Sequence, residues 1–162
     1  MSKVSSCNLI SLNVKGIRDR NKRKNIFNWC KEKQGNIIFL QETFSTPDIV
    51  SKWDSIWEGK CFYSHGTYHS KGVMILIDSK IDIKLNHIVI DTEGRYIFIV
   101  SQIQGQELHV VLGNVYFPVG NREMEQVEFL HKIQGILNRN EFKDRPFIIG
   151  GDFNMTRNVQ LD

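Results

Sequence analysis

Phe147-Ile148-Ile149-Gly150-Gly151-Asp152-Phe153-Asn154 decides how this chain is read. It is an apolar, β-favouring run that opens into a glycine pair and then an Asp-x-Asn. The glycines allow close backbone approach or unusual φ, and a carboxylate and a carboxamide two residues apart at the end of a strand form a rim suited to catalysis. A tight turn with Asx bonding accounts for the glycines but less directly for Asp152 and Asn154.

Working outward, the strand at 146–150 is preceded by a stretch of helical periodicity from Asn121 to Asn140. Met124, Val127, Phe129, Leu130, Ile133, Ile136 and Leu137 make its apolar stripe, with Gly120 or Asn121 near its cap. Upstream, residues 60–64, 72–77, 81–90, 95–104 and 107–117 read as short strands separated by turn signals, a pattern that suggests antiparallel pairing. The first 40 residues read differently. Residues 8–14 alternate as a strand, Asp19 caps a helix with Ile26, Phe27, Trp29 and Cys30 on its apolar stripe, and Gln34-Gly35 ends it. Asn36-Ile37-Ile38-Phe39-Leu40 is a continuous apolar strand of the kind buried on both faces, and a short helical candidate spans Pro47–Trp57. Helices outside mostly antiparallel strands give a layered α+β architecture with strand ends meeting at one edge.

A chain of 162 residues with 41% hydrophobic and 24% charged residues is an ordinary globular domain, or part of one, and shows no repeat or linker. Cys7, Cys30 and Cys61 are widely spaced, without a CxxC, and read as buried thiols in a reducing, intracellular setting. No apolar run reaches the length of a membrane span. The net charge of +3 is uneven: residues 1–35 hold nine Lys/Arg against two acids. Lys15, Arg18, Arg20, Lys22, Arg23 and Lys24 crowd the segment after the first strand, either as a solvated helix face or as a surface for phosphates.

Asn13, Glu42, Tyr116, Asp152 and Asn154 each end or follow an apolar run, so all five can gather at one rim. Carboxylates with carboxamides suit Mg²⁺, which takes few protein ligands and keeps waters and phosphate oxygens. In phosphodiester hydrolysis such a cation offsets developing charge while a carboxylate orients or deprotonates water. Glu42 suits the first task and Asp152 the second.

The ordered set Ile10-Ser11-Leu12-Asn13-Val14-Lys15-Gly16, Phe39-Leu40-Gln41-Glu42-Thr43, Ser70-Lys71-Gly72-Val73, Asp91-Thr92-Glu93-Gly94-Arg95-Tyr96, Asn114-Val115-Tyr116-Phe117-Pro118 and Gly150-Gly151-Asp152-Phe153-Asn154 resembles the endonuclease/exonuclease/phosphatase family. Within it the chain looks most like the apurinic-type endonuclease domain encoded by LINE-type (non-LTR) retrotransposons. The resemblance implies a DNase I-like four-layer αββα sandwich and a DNA-nicking, Mg²⁺-dependent hydrolase, with Mn²⁺ as a substitute. It places Asn13 in support of the site, Glu42 on the metal, Tyr116 on phosphate, and Asp152 and Asn154 on the water and the scissile phosphate. It also implies DNA as partner, bound by its phosphate backbone, and a nuclear location within a retroelement protein.

Two departures stand out. Phe117-Pro118-Val119 replaces the family's usual Ala-Pro-Asn after the tyrosine. The family's Ser-Asp-His motif is also missing, because His65, His69, His87, His109 and His131 all precede Asp152, and His65-x3-His69 reads as a surface pair. The expectation is therefore a single partial domain over 1–162 whose second sheet is incomplete, with little or no turnover and exposed sheet edges open to self-association. A non-catalytic remnant that binds nucleic acid or a partner, and a phosphatase of the same family, stand as alternatives.

Overall fold

The structure, a computed structural model, describes residues 7–103, 107–119 and 123–155. Eight strands form two four-stranded sheets. The first contains β1 (Leu9–Asn13), β2 (Ile37–Gln41), β3 (Gly59–Ser64) and β4 (Val73–Asp78) in the order β1-β2-β4-β3, with β1 and β2 parallel and the other pairs antiparallel. The second contains β5 (Ile83–Ile90), β6 (Tyr96–Ile103), β7 (His109–Tyr116) and β8 (Phe147–Asp152) in sequence order, antiparallel except for the parallel pair β7 and β8.

Three apolar cores give the layering. Ile37, Phe39, Ile75 and Ile77 of the first sheet pack against Ile97, Ile99 and Leu112 of the second. The other face of the first sheet, with Ile38, Leu40, Met74 and Leu76, is covered by Phe27 and Cys30 of α1 (Arg20–Glu32) and by Trp53 of the short α2 (Val50–Asp54). The other face of the second sheet, with Phe98, Val100 and Val111, meets Phe129, Ile133 and Ile136 of α3 (Glu123–Leu137). Helix, sheet, sheet and helix make the expected four-layer sandwich. β2 reads as an uninterrupted apolar run because it is covered on both faces, and all five of its residues are buried.

Local chemistry sets the boundaries. The Asp19 carboxylate accepts from the Lys22 amide at 2.7 Å and caps α1. The left-handed residue that ends α1 is Gln34, at φ 54°, rather than Gly35. Trp29, expected on the buried stripe, is exposed, while Arg23 is buried in its place. The segment Pro47–Trp57 is a 3₁₀ turn at Pro47–Ile49 followed by α2. On α3, Met124, Val127 and Leu130 are exposed, so the buried stripe narrows to Phe129, Ile133 and Ile136. The cap proposed at Gly120 or Asn121 lies outside the described residues.

The last strand runs two residues further than expected, through both glycines to Asp152. Gly150 and Gly151 are therefore not a turn and do not have positive φ; what they supply is room. A Cβ on Gly150 would lie 2.5 Å from the Phe39 ring, and one on Gly151 would lie 2.4 Å from the Val115 carbonyl oxygen. Among the described residues no strand pairs with the outer edge of β8, where Phe147 is 60% exposed.

Candidate active site

Every strand end that carries a singled-out residue points the same way. β1, β2, β7 and β8 finish at Asn13, Gln41, Tyr116 and Asp152, and the register pairs Asn13 with Gln41 and Tyr116 with Asp152. Parallel pairing at one edge of each sheet, β1 with β2 and β7 with β8, brings these C-terminal ends to one rim.

Asn13 is the centre of the cluster. Its Nδ2 donates to Glu42 Oε1 and to Asp152 Oδ2, each at 2.8 Å, and its Oδ1 accepts from the Lys15 amide. One carboxamide thus holds together two carboxylates that would otherwise repel. Asp152 is held from a second side, because Oδ1 accepts from the Asn154 amide at 3.1 Å. Asn154 uses one side-chain N–H on the Phe117 carbonyl, and its own carbonyl accepts from Gln126 Nε2 on α3. Burial, followed by a hydrogen bond to Glu42, pushes the Tyr116 phenol up to about 12, so it stays a donor at neutral pH. All five expected residues therefore stand on one rim, beside an open cleft of about 610 Å³ lined by Ser11, Asn13, Gln41, Asp152 and Asn154.

Beneath the rim lies a polar network that the sequence reading missed. Gln41 and Asn114 are buried and face each other across the two sheets. Gln41 Nε2 donates to Asn114 Oδ1 at 2.8 Å and to Ser11 Oγ at 3.2 Å, Asn114 Nδ2 donates to the Leu40 and Met74 carbonyls, and Ser11 Oγ accepts from the Gly151 amide. This ties β1, β2, β4, β7 and β8 together one residue below the carboxylates. A polar residue inside each of the runs Ile37-Ile38-Phe39-Leu40-Gln41 and Val110-Val111-Leu112-Gly113-Asn114 was the available signal.

Other expected participants are elsewhere. Arg23 is buried, with its guanidinium donating to the Ile17 and Arg18 carbonyls, so the exposed cations of that segment are Lys15, Arg20, Lys22 and Lys24. His65 is half-buried rather than a surface residue: it stacks on Tyr63 at 5.3 Å and its Nδ1 bonds Ser45 Oγ. Burial lowers its pKa. Cys30 is buried and its thiol is pushed up to about 11, whereas Cys7 is exposed.

Among the described residues no three His, Cys, Asp or Glu side chains converge on a metal position. A divalent cation here would rest on Glu42 or Asp152 with water and substrate phosphate oxygens completing the shell, which is the coordination Mg²⁺ keeps. The donor set fits it. Among the described residues no helix is long and apolar enough to cross a membrane.

Two packed mixed sheets flanked by helices, with Asn, Glu, Tyr and Asp at one rim, define a DNase I-like α+β protein. The chain belongs to the endonuclease/exonuclease/phosphatase family, whose profile matches residues 10–158. A Xenopus laevis protein described as "Transposon TX1 uncharacterized 149 kDa protein" is 27% identical over 146 residues, which is 90% of this chain and 11% of that protein. Among solved structures, a functionally unknown conserved protein from Enterococcus faecalis superposes with a TM-score of 0.70 at 12% identity, covering 91% of this chain and 66% of the other. D. rerio TDP2, complexed with single strand DNA product, superposes at 0.68 with 18% identity, covering 94% of this chain and 62% of that one. The chain thus spans about a tenth of its transposon relative and about two thirds or less of these structures.

Proposed function

We propose that this chain is the metal-binding and water-activating part of a DNA-nicking phosphodiester hydrolase of the LINE retrotransposon type, working in the nucleus. The observation that carries this reading is the Asn13 amide held between Glu42 and Asp152, because an arrangement that orients two carboxylates at a rim has chemical use and little structural need. Similarity to the transposon protein supports the retroelement assignment.

When bound, a divalent cation supplies positive charge for the phosphate and leaving oxygens, with Glu42 as its protein ligand. The chain's own groups do the rest. Asp152, fixed by Asn13 and the Asn154 amide, accepts the proton of the attacking water. Tyr116 remains protonated and donates toward a phosphate oxygen once substrate displaces its bond to Glu42. Asn154 offers its remaining side-chain N–H to the phosphate. Among the described residues, His65 bonds Ser45 and His87 packs against Phe142, away from these five side chains.

Thermal melts with and without Mg²⁺, together with nicking of supercoiled plasmid, test the reading. Mg²⁺ is expected to raise the melting temperature of the native chain and not of Glu42→Ala. Mg²⁺-dependent nicking is expected to disappear in Asp152→Ala. Neither stabilisation nor nicking would end the catalytic reading.

The exposed cations Lys15, Arg20, Lys22 and Lys24 favour a second reading, a nucleic-acid-binding module without chemistry. Salt-dependent retention of DNA that Asp152→Asn leaves intact, and that reversal of Arg20 and Lys24 weakens, would support it. Arg23 is no use in that test because it is buried.

A further inference from the structure

Tyr68 lies in the loop between β3 and β4, 54% exposed. β3 ends and β4 begins at the same end of the first sheet at which β1 and β2 finish, so this loop stands beside Glu42. Backbone bonds fasten the two segments: the Thr43 amide donates to the Gly72 carbonyl at 2.9 Å, the Phe44 amide to the Lys71 carbonyl at 3.0 Å, and the Gly66 amide to the Ser45 carbonyl at 3.1 Å.

One face of the Tyr68 ring is occupied by the Arg18 guanidinium, whose Cζ lies 4.0 Å from the ring centroid. That guanidinium is anchored at its edge. Nη1 donates to the Phe44 carbonyl at 3.2 Å and to Thr46 Oγ1 at 2.7 Å, and Nη2 lies 3.7 Å from Asp48 Oδ2. Arg18 therefore holds the tyrosine in place instead of sweeping solvent. Among the described residues no other ring or cation stacks on Tyr68, and more than half of its surface stays exposed. A tyrosine that served only to cover Arg18 would gain most by being buried; this one keeps more than half its surface in water at the lip of a polyanion site.

We propose that the Arg18-backed Tyr68 ring is a stacking platform for an unpaired nucleobase next to the rim. The inference rests on the nucleic-acid reading above and goes further by specifying a strand with at least one unstacked base. Bases stack on exposed aromatic rings regardless of sequence, and a guanidinium behind the ring fixes its angle. Lys15, Lys22 and Lys24 supply charge for the backbone while Tyr68 contacts the base.

The test uses the full chain in EDTA, so that no turnover occurs, with fluorescence anisotropy at low salt on three fluorescein-labelled 12-mers: a single-stranded deoxyoligonucleotide, the same sequence as a blunt duplex, and an abasic strand with the same phosphates. Tyr68→Ala is expected to weaken binding of the single strand about tenfold, to leave the duplex within about twofold, and to leave the abasic strand unchanged. Tyr68→Trp and Tyr68→Phe are expected to bind like the native chain, which separates stacking from misfolding. Native-like binding of the single strand by Tyr68→Ala, or an equal loss on the abasic strand, would overturn the platform while leaving the nucleic-acid reading intact. Failure of the native chain to bind any of the three would overturn both.

Discussion

Asn13 and Asp152, 139 positions apart in the chain, are joined by a 2.8 Å hydrogen bond from Nδ2 to Oδ2. The bond closes the seam between the first strand of one sheet and the last described strand of the other, and the same nitrogen reaches Glu42. Asn13→Ala leaves two carboxylates without their shared donor. In EDTA the loss is expected to be about 1–3 kcal/mol, read as a lower urea midpoint. Mg²⁺ is expected to recover more stability in the variant than in the native chain, since it takes over part of the charge neutralisation. Equal Mg²⁺ responses would argue against two facing carboxylates.

The buried pair Gln41 and Asn114 forms the next layer down. Either residue changed to alanine removes the 2.8 Å bond between them and leaves its partner one buried hydrogen bond short, at a cost of about 1–3 kcal/mol. The double variant is expected to cost less than the sum of the singles by more than about 0.5 kcal/mol, the signature of direct contact. A denaturant double-mutant cycle measures this.

Gly150 and Gly151 give a paired prediction. Gly150→Ala drives a methyl into the Phe39 ring and is expected to cost about 1–3 kcal/mol, part of which Phe39→Leu restores by vacating the ring. Gly151→Ala meets the Val115 carbonyl oxygen, which is backbone, so Phe39→Leu brings no relief there. Thermal melts of the four variants distinguish the two causes.

His65 predicts a pH dependence. Burial lowers its folded pKa below the usual histidine value, so the unfolded chain binds the proton more readily. The stability tied to neutral His65 is complete above about pH 6.5 and is lost as pH falls from there through the folded pKa. Urea midpoints at pH 7.5, 6.5 and 5.5 are expected to decline less steeply in His65→Gln than in the native chain.

Helices outside mostly antiparallel strands are legible in the periodicity of the sequence, whereas the four-layer arrangement follows from the family resemblance. The uninterrupted Ile37–Leu40 run announces a doubly covered strand, and short strands between turn signals announce the antiparallel pairs β3–β4, β5–β6 and β6–β7, while the consecutive β4 and β5 fall in different sheets. The stripes of α1 and α3 were read too wide, because helical spacing identifies a face without showing how much of it the neighbouring sheet covers; Trp29 and Met124 fall just past that limit. The five rim residues were found because each ends an apolar run. Gln41 and Asn114 were passed over because their meaning lies between sheets, 73 positions apart, and pairing across layers leaves no local periodicity. Arg23 was counted as surface charge because its burial depends on the Ile17 and Arg18 carbonyls turning toward it, which is a property of the loop fold.

At the rim, Lys15, Glu42, Phe44, Lys71 and Asn154 all hold left-handed backbone, with φ between 46° and 61°. Each such residue costs on the order of 1 kcal/mol relative to glycine. Glycine at Glu42 or Asn154 would relax the backbone and remove the chemistry in one step. Directed evolution for heat resistance alone is therefore expected to wear away this end of the molecule first, because tolerance of heat and possession of a working rim make opposite demands on the same few positions.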